Sequence, residues 1–410
     1  MTLEMDRWER DTFEFLDFCD PEKVHRRTAT AVISDGKIAE VSLSNARPRG
    51  VVTPGFLNGH THWLMLGESS LTRAVDMIEN HPDTMMQIVM ENARRTAACG
   101  ITTVCDKGPP GHTLPPKLIA LIKKAQQEGA PIPRTLSSHW TLSSPGAFAE
   151  TFTKCMRNKA ELVLMLEELR SSGSELVKVI AEGDLDEKFE YPFTFSDYLF
   201  EEAMKFSQRN HMRIAAHAKG RDTIEACIRH KIPCLEHGLQ ASNSQLAELE
   251  RNNLFLGLTL HGFEARLDYA KNHPEKSSFK RAAEYEMDLA LQLSARLANF
   301  HGNSVAHKNI VFSSDAGSHS TPHASLREAF LMRSAGFSPE SVFRAATFNG
   351  YRMLEIEDRF GKLDVGYAAD LIFWKCDPLA LPLEAWKTLD LYIDAVMING
   401  QWVRKPQFAR

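Results

Sequence analysis

Eight short apolar runs recur between residues 51 and 355, each followed by a stretch of helical pattern. They are VVTPGF (51–56), ITTVCD (101–106), RTLSS (134–138), LVKVIA (176–181), RIAAH (213–217), PCLEH (233–237), LFLGLTL (254–260) and NIVFSSD (309–315). Short apolar runs alternating with amphipathic helices are the signature of buried parallel strands. Eight of them predict an α/β fold, a (β/α)8 TIM barrel. The intervening helices carry their own end signals. Met85, Val89, Ala93 and Ala97 share one face, and Gly100 is placed to stop that helix. Ser196 is placed to cap a helix bearing Leu199, Ala203 and Phe206, with Asn210 at its end. Ser325 and Glu328 have capping-box spacing, and Ser338-Pro339 reads as N-cap and N1.

The flanks follow a different pattern. TATAVISDGKIAEVSL (28–43) reads as a hairpin turning at Asp35-Gly36, and YIDAVMINGQWVR (392–404) as one turning at Asn399-Gly400. Neither flank alone makes a stable sheet. The expectation is therefore a small composite β-sandwich domain from residues 1–53 and 358–410, beside a catalytic barrel spanning 54–357.

Composition narrows the function classes. Lys+Arg 48 against Asp+Glu 53 leaves a formal charge of −5, without the basic surplus of a nucleic-acid binder. No apolar run reaches membrane-span length. The opening MTLEMDRWERDTFEF has no apolar core typical of a secretory leader. The 7 cysteines form no CxxC pair, which fits neither a disulfide framework nor a thiolate zinc site. A reducing cytoplasm is the simplest compartment.

The chemistry lies at the ends of the runs, where a barrel builds its active face. His60 and His62, two apart on an extended segment, point to one side. His217 ends the fifth run, His237 the sixth and Asp315 the eighth. Four imidazoles and a carboxylate at one end of four strands suit zinc, with manganese, cobalt and iron also tolerated. Lys178 sits inside the apolar LVKVIA run, where an unpaired ammonium is costly. Burial lowers a lysine pKa and leaves a nucleophilic amine. Such an amine can take up carbon dioxide as a carbamate able to bridge two ions; pairing with a nearby carboxylate is the alternative.

These motifs together resemble the amidohydrolase superfamily, in particular its imidazolonepropionase/prolidase-like group. The resemblance spans VVTPGFLNGHTH (51–62), GITTVCDKG (100–108), RIAAHAKGRDTIEACIRHKIPCLEHG (213–238), SSDAG (313–317) and RAATFNGYRMLEIEDRFGKLDVGYAADLIFW (344–374). It implies two divalent metal ions, with His60, His62 and Asp315 on one, His217 and His237 on the other, and N6-carboxylated Lys178 bridging. It also implies hydrolysis of an amide, urea or carbamate C–N bond by hydroxide held between the ions, with Asp315 as the catalytic proton shuttle. Barrels of this type often form homo-oligomers. The departures concern substrate. SSHWTLSSPGA (137–147) lacks the Gly-Gly-His-Gly segment frequent in dipeptide-cleaving members, and Lys219 replaces the second histidine of a common His-Ala-His.

Aromatic and polar residues near the run ends nominate a small-molecule pocket: Trp63, His139, Trp140, Tyr191, Lys219 and His261. Lys107, Lys219 and Arg221 are candidates to hold a substrate carboxylate. An apolar aryl substrate and a carboxylate-bearing dipeptide or N-acyl amino acid both stay open. Two further classes remain: a cyclic-amide hydrolase or heterocycle deaminase of the same superfamily, and a non-catalytic barrel scaffold. The deaminase reading lacks the usual His-x-x-Glu spacing after His217.

Overall fold

The computed structural model describes residues 11–20, 23–63, 65–67, 71–108, 116–299 and 308–405. The first ten residues, on which the leader expectation partly rests, lie outside that set. Strands β1 (Phe13–Asp17), β2 (His25–Ser34), β3 (Lys37–Leu43) and β4 (Val51–Pro54) come first. The barrel begins with β5 (Phe56–Thr61), α1 (Leu71–Asn80) and α2 (Pro82–Ala98). It continues through β6 (Ile101–Asp106), α3 (Pro116–Gln127), β7 (Arg134–Ser137), the short β8 (Thr141–Ser143) and β9 (Lys154–Cys155), and α4 (Lys159–Ser171). Next come β10 (Leu176–Ile180), α5 (Asp197–Asn210), β11 (Arg213–Ala218), α6 (Arg221–Arg229), β12 (Cys234–His237) and α7 (Asn243–Arg251). Then follow β13 (Phe255–Gly257), α8 (Leu260–Asn272), α9 (Ser277–Asn299), β14 (Ile310–Val311), α10 (Arg327–Ser334), α11 (Pro339–Arg344) and α12 (Gly350–Leu354). The chain ends with β15 (Leu371–Trp374), β16 (Ile393–Ile398) and β17 (Gln401–Arg404).

Strands β5–β7 form one parallel sheet, and β8–β14 another in the order 14-13-12-11-10-8-9. Backbone hydrogen bonds close both seams. Gly59 N–H donates to the Phe312 carbonyl at 2.7 Å and Asp315 N–H to that of His60 at 2.9 Å. Across the other seam Glu175 N–H donates to the Ser137 carbonyl at 3.2 Å. The result is an eight-stranded TIM barrel.

Each barrel strand gives one apolar side chain to a lower interior layer. Leu57, Cys105, Leu136 and Leu176 come from one half, and Ala215, Cys234, Phe255 and Val311 from the other. Tyr351, Met353 and Leu354 of α12 seal this layer from outside. Side chains repeat every two residues along a strand. The next layer up is therefore set by counting two on from Leu176, Ala215 and Cys234, which gives Lys178, His217 and Glu236. The apolar floor lets these polar groups sit in a dry site.

The flanking strands correct the two-sheet sandwich expectation. They form one seven-stranded sheet in the order 17-16-15-4-1-2-3, because β4 pairs in parallel with β1 and antiparallel with β15. The sheet rolls back on itself. Its outer hairpins turn at Asp35-Gly36 and Asn399-Gly400, all four residues having positive φ, and the two tips meet. A Cβ on Gly36 would lie 2.5 Å from Asn399 Oδ1. Gly36 C=O accepts from Ala369 N–H, whose own carbonyl accepts from Gly400 N–H. The rolled face encloses Phe13, Ala29, Val52, Phe373 and Ala395.

Three local expectations also change. The run 51–56 spans two elements: Val51–Pro54 joins the small sheet and the barrel strand starts at Phe56. A Cβ at the intervening Gly55 would lie 2.2 Å from Thr102 Oγ1, so only glycine passes there. The run 254–260 is strand only to Gly257; Thr259, at φ 56°, turns the chain into α8. The Ser325/Glu328 capping box does not form. Ser325 Oγ donates to the Pro322 carbonyl, and Glu328 instead accepts the Leu260 and His261 N–H groups. By contrast, Met85, Val89, Ala93 and Ala97 are all buried, and Ser338 caps α11 with Pro339 following.

Candidate active site

At the upper end of β5, His60 and His62 turn their Nε2 atoms toward each other, 3.2 Å apart. Asp315 Oδ1 lies 3.3 Å from His60 Nε2 and 3.2 Å from His62 Nε2. The arrangement could hold a metal ion. Beside it, His237 Nε2 lies 3.0 Å from His217 Nδ1, and the His60 and His237 ring centroids are 5.5 Å apart. The structure thus brings together the five side chains nominated from the run ends. Lys178 lines the same cavity, with its Nζ against Glu236 Oε2.

Outer partners fix the ring orientations. His60 Nδ1 lies 3.2 Å from Glu236 Oε2, His62 Nδ1 2.9 Å from the Gly108 carbonyl, and His237 Nδ1 2.7 Å from Thr259 Oγ1. All three present Nε2 inward; the hydrogen bonds behind His62 and His237 are an orienting pattern common behind metal-binding imidazoles, while His60 meets Glu236 at ion-pair distance. Asp106 shapes one of these partners by accepting the Gly108 N–H. Backbone strain contributes as well. His237 has φ 80° and Asp315 φ 54°, both left-handed for non-glycine residues. A fully extended β12 would turn His237 away when Glu236 faces inward; the left-handed turn lets both face the site.

Burial keeps the imidazoles of His60, His217 and His237 well below their usual pKa, leaving nitrogen lone pairs free. Burial, then Lys107, pushes Lys178 down as well. Burial would raise Asp315, but the hydrogen bond from His62 and nearby positive charge hold it at about 2. These donors fit divalent cations: neutral nitrogens, an ionised carboxylate and converging lone pairs.

Glu236 was not anticipated from the sequence. It is buried, with Lys107 Nζ 3.0 Å from Oε1 and Lys178 on Oε2. Counting two residues on reaches it only once the fold has placed Cys234 in the lower layer. Glu182 also lies behind the site. It accepts the Lys219 and Gly220 N–H groups, and burial raises it to about 7.

Above these residues is a cavity of about 340 Å3, within the range of small-molecule sites. Its walls are mostly apolar. Phe148 stacks on His217 with centroids 5.3 Å apart, and Phe263 meets His237 edge-on at 5.6 Å. Of the six nominated substrate contacts, Lys219 lines this cavity. Trp63 belongs to the hydrophobic core, because the strand end carries it behind the metal-facing histidines. His139 bonds Ser172 Oγ, and Trp140 stacks under the Lys154 ammonium. Tyr191 lies one layer back, donating to Glu286, and His261 is buried in the first turn of α8. Of the nominated carboxylate binders, Lys107 is occupied by Glu236 below the site. Arg221 begins α6 and borders a separate surface cavity.

Residues 51–403 match the amidohydrolase family. The chain belongs to that family. It is accordingly an amidohydrolase, an enzyme acting on carbon–nitrogen bonds. Solved structures share its fold at low identity. A Xaa-Pro dipeptidase with methionine bound in its active site superposes with TM-score 0.78 at 17% identity, covering 96% of this chain and 100% of its own. The A. niger ochratoxinase gives 0.77 at 18% identity, covering 97% of each chain. Phenylurea hydrolase B gives 0.72 at 14% identity, covering 96% of each. No curated protein sequence matches this amidohydrolase. Among its described residues, no helix is long and apolar enough to cross a membrane.

Proposed function

We propose that this amidohydrolase cleaves an amide, urea or carbamate C–N bond of a small molecule with two divalent metal ions. The observation that carries the reading is the convergence of His60 Nε2, His62 Nε2 and Asp315 Oδ1, with the His217–His237 pair beside it. In this reading His60, His62 and Asp315 hold one ion and His217 and His237 the other. Lys178, once carboxylated, would serve as a ligand shared by the two sets. Zinc suits the donor set. Ions held there would acidify a water and polarise the scissile carbonyl.

The chain's own groups do the rest. Asp315, ionised at neutral pH, accepts the water proton during attack and returns it to the departing nitrogen. Gly262 packs so close that a Cβ there would lie 2.7 Å from Asp315 Cβ, which limits the carboxylate's freedom. The neutral amine of Lys178 adds to carbon dioxide, the C–N bond forming as one C=O π bond opens, and its proton passes to water as the carbamate forms. Glu236 then keeps a counter-charge in Lys107. Phe148 and Phe263 exclude water from the imidazoles they cover. Neighbours named as a dipeptidase, an ochratoxinase and a phenylurea hydrolase support C–N hydrolysis on this fold.

The test is metal analysis together with amine release from one panel of N-acyl amino acids, dipeptides, N-aryl amides, ureas and carbamates, using metal-loaded, bicarbonate-treated enzyme. Close to two ions per chain and released amine are expected. A single ion with ammonia from a heterocycle would replace the reading with deamination, and no ion with a scaffold.

A further inference from the structure

On α8, Gly262, Phe263 and Arg266 all line the cavity above the histidines. Gly262 and Arg266 are one turn apart and share a face, about 6 Å along the helix axis. Gly262 abuts Asp315, so Arg266 stands one turn from the proposed proton shuttle. Its side chain is 14% exposed. Two contacts hold the guanidinium in place. Nε lies 3.2 Å from Glu286 Oε2, and the group sits over the Phe279 ring, 4.6 Å from the centroid. Among the described residues no partner engages its two terminal amino groups.

The surrounding charge is unbalanced. Glu286 is the shared anion of Arg266 and Lys219, with Lys219 Nζ 2.7 Å from Oε1 and Tyr191 OH donating to the same oxygen. Glu286 thus faces two cations, while Asp315 is committed to His60 and His62 and Glu182 to the Lys219 and Gly220 N–H groups. Lys219 is hydrogen-bonded to Glu286, whereas Arg266 meets it only at ion-pair distance through Nε. Asp184, at the mouth, is exposed and screened by solvent. A guanidinium positioned by an ion pair and an aromatic ring, with its planar pair of terminal donors free, fits a carboxylate bidentately.

We infer that Arg266 is the specificity-determining residue of this site and binds a substrate carboxylate close to the scissile bond, as in an N-acyl amino acid or dipeptide. The inference rests on the C–N hydrolase reading for its substrate class, while the Arg266–carboxylate contact stands without turnover. Phe148, Phe152 and Phe263 supply apolar walls for the rest of the substrate.

The experiment compares N-acetyl-L-phenylalanine with its uncharged amide, N-acetyl-L-phenylalaninamide, by calorimetric titration. The protein carries Asp315→Asn to prevent turnover, with and without Arg266→Gln or Arg266→Lys. The carboxylate should bind about ten- to hundred-fold more tightly than the amide. Arg266→Gln should erase that preference, and Arg266→Lys should keep part of it, having charge without the fork. Equal affinity for the two compounds, no measurable binding of either, or a preference surviving Arg266→Gln overturns the inference. The last outcome would place the carboxylate on the metal ions. In the active enzyme, amine release only from uncharged ureas or carbamates would overturn this inference and leave the hydrolase reading intact. Arg266-dependent carboxylate binding in a protein that releases no amine from any panel member would do the reverse.

Discussion

Glu236 lies directly behind His60, its Oε2 3.2 Å from the imidazole Nδ1 while the opposite nitrogen faces Asp315. The same carboxylate lies against the Lys107 ammonium and the Lys178 amine. One side chain therefore backs a histidine and offsets the buried charge of Lys107. Glu236→Gln should fail on both counts. Metal affinity should fall about 10- to 100-fold through loss of the orienting contact. Stability should fall by about 3–5 kcal/mol because the buried Lys107 ammonium loses its counter-charge. Equilibrium dialysis and denaturant unfolding read the two effects separately.

Asp315→Asn tests proton handling. The variant should keep the His217–His237 pair and bind metal measurably, yet lose about 10²–10⁴-fold in kcat. Near-normal turnover with bound metal would remove Asp315 from the proton path.

Gly262→Ala probes how tightly that carboxylate is confined. A single methyl would lie 2.7 Å from Asp315 Cβ and 2.9 Å from Oδ2, so the carboxylate must move. Misplacement on this scale can cost about 100-fold in rate. The circular dichroism spectrum should stay that of the parent, and an unchanged kcat would show that the site tolerates the shift.

Trp63→Ala separates packing from recognition. Trp63 is 1% exposed within the main core, so its truncation should cost about 3–5 kcal/mol of stability. KM should stay within about two-fold of wild type when assayed well below the melting transition. A large KM change without destabilisation would restore Trp63 as a substrate contact.

Glu328 gives the protein a pH dependence of its own. Burial raises its pKa from 4.5 to about 8 despite the N–H groups of Leu260 and His261. The folded protein therefore holds this proton where the unfolded chain has released it. Its stabilising contribution is fully present below about pH 4.5 and is lost as pH rises through about 8. Glu328→Gln, which resembles the protonated acid, should flatten that part of the profile. Melting temperatures of both proteins from pH 5 to 9 check the sign.

The barrel was legible in the sequence because each strand is a short apolar run and the polar residues cluster at one end. His60, His62, His217, His237 and Asp315 were legible for the same reason. Glu236 was not, because it adjoins His237 and strict alternation allows only one of them to face inward. The left-handed backbone at His237 removes that conflict, and no side-chain pattern announces it. Trp63 and Tyr191 follow run ends in the chain yet do not face the pocket, because adjacency in the chain is not adjacency in space. Arg266 escaped because it lies on a helix beyond the strand end, where only the fold shows which face meets the cavity. The composite β domain was legible from the two flanks, but its being one continuous sheet was not, because the β4–β15 pairing joins distant segments.

That pairing also governs the order in which the protein can be completed on the ribosome. Val52 and Phe373 face each other in register although over 300 residues separate them. While the barrel is being synthesised, β4 has an open edge, and open edges invite association with other chains. A nascent molecule halted before β15 would carry the histidines of the site and a half-built sheet with nothing to cover it. Ribosome stalling or premature release late in the message should therefore yield aggregates rather than a smaller working enzyme.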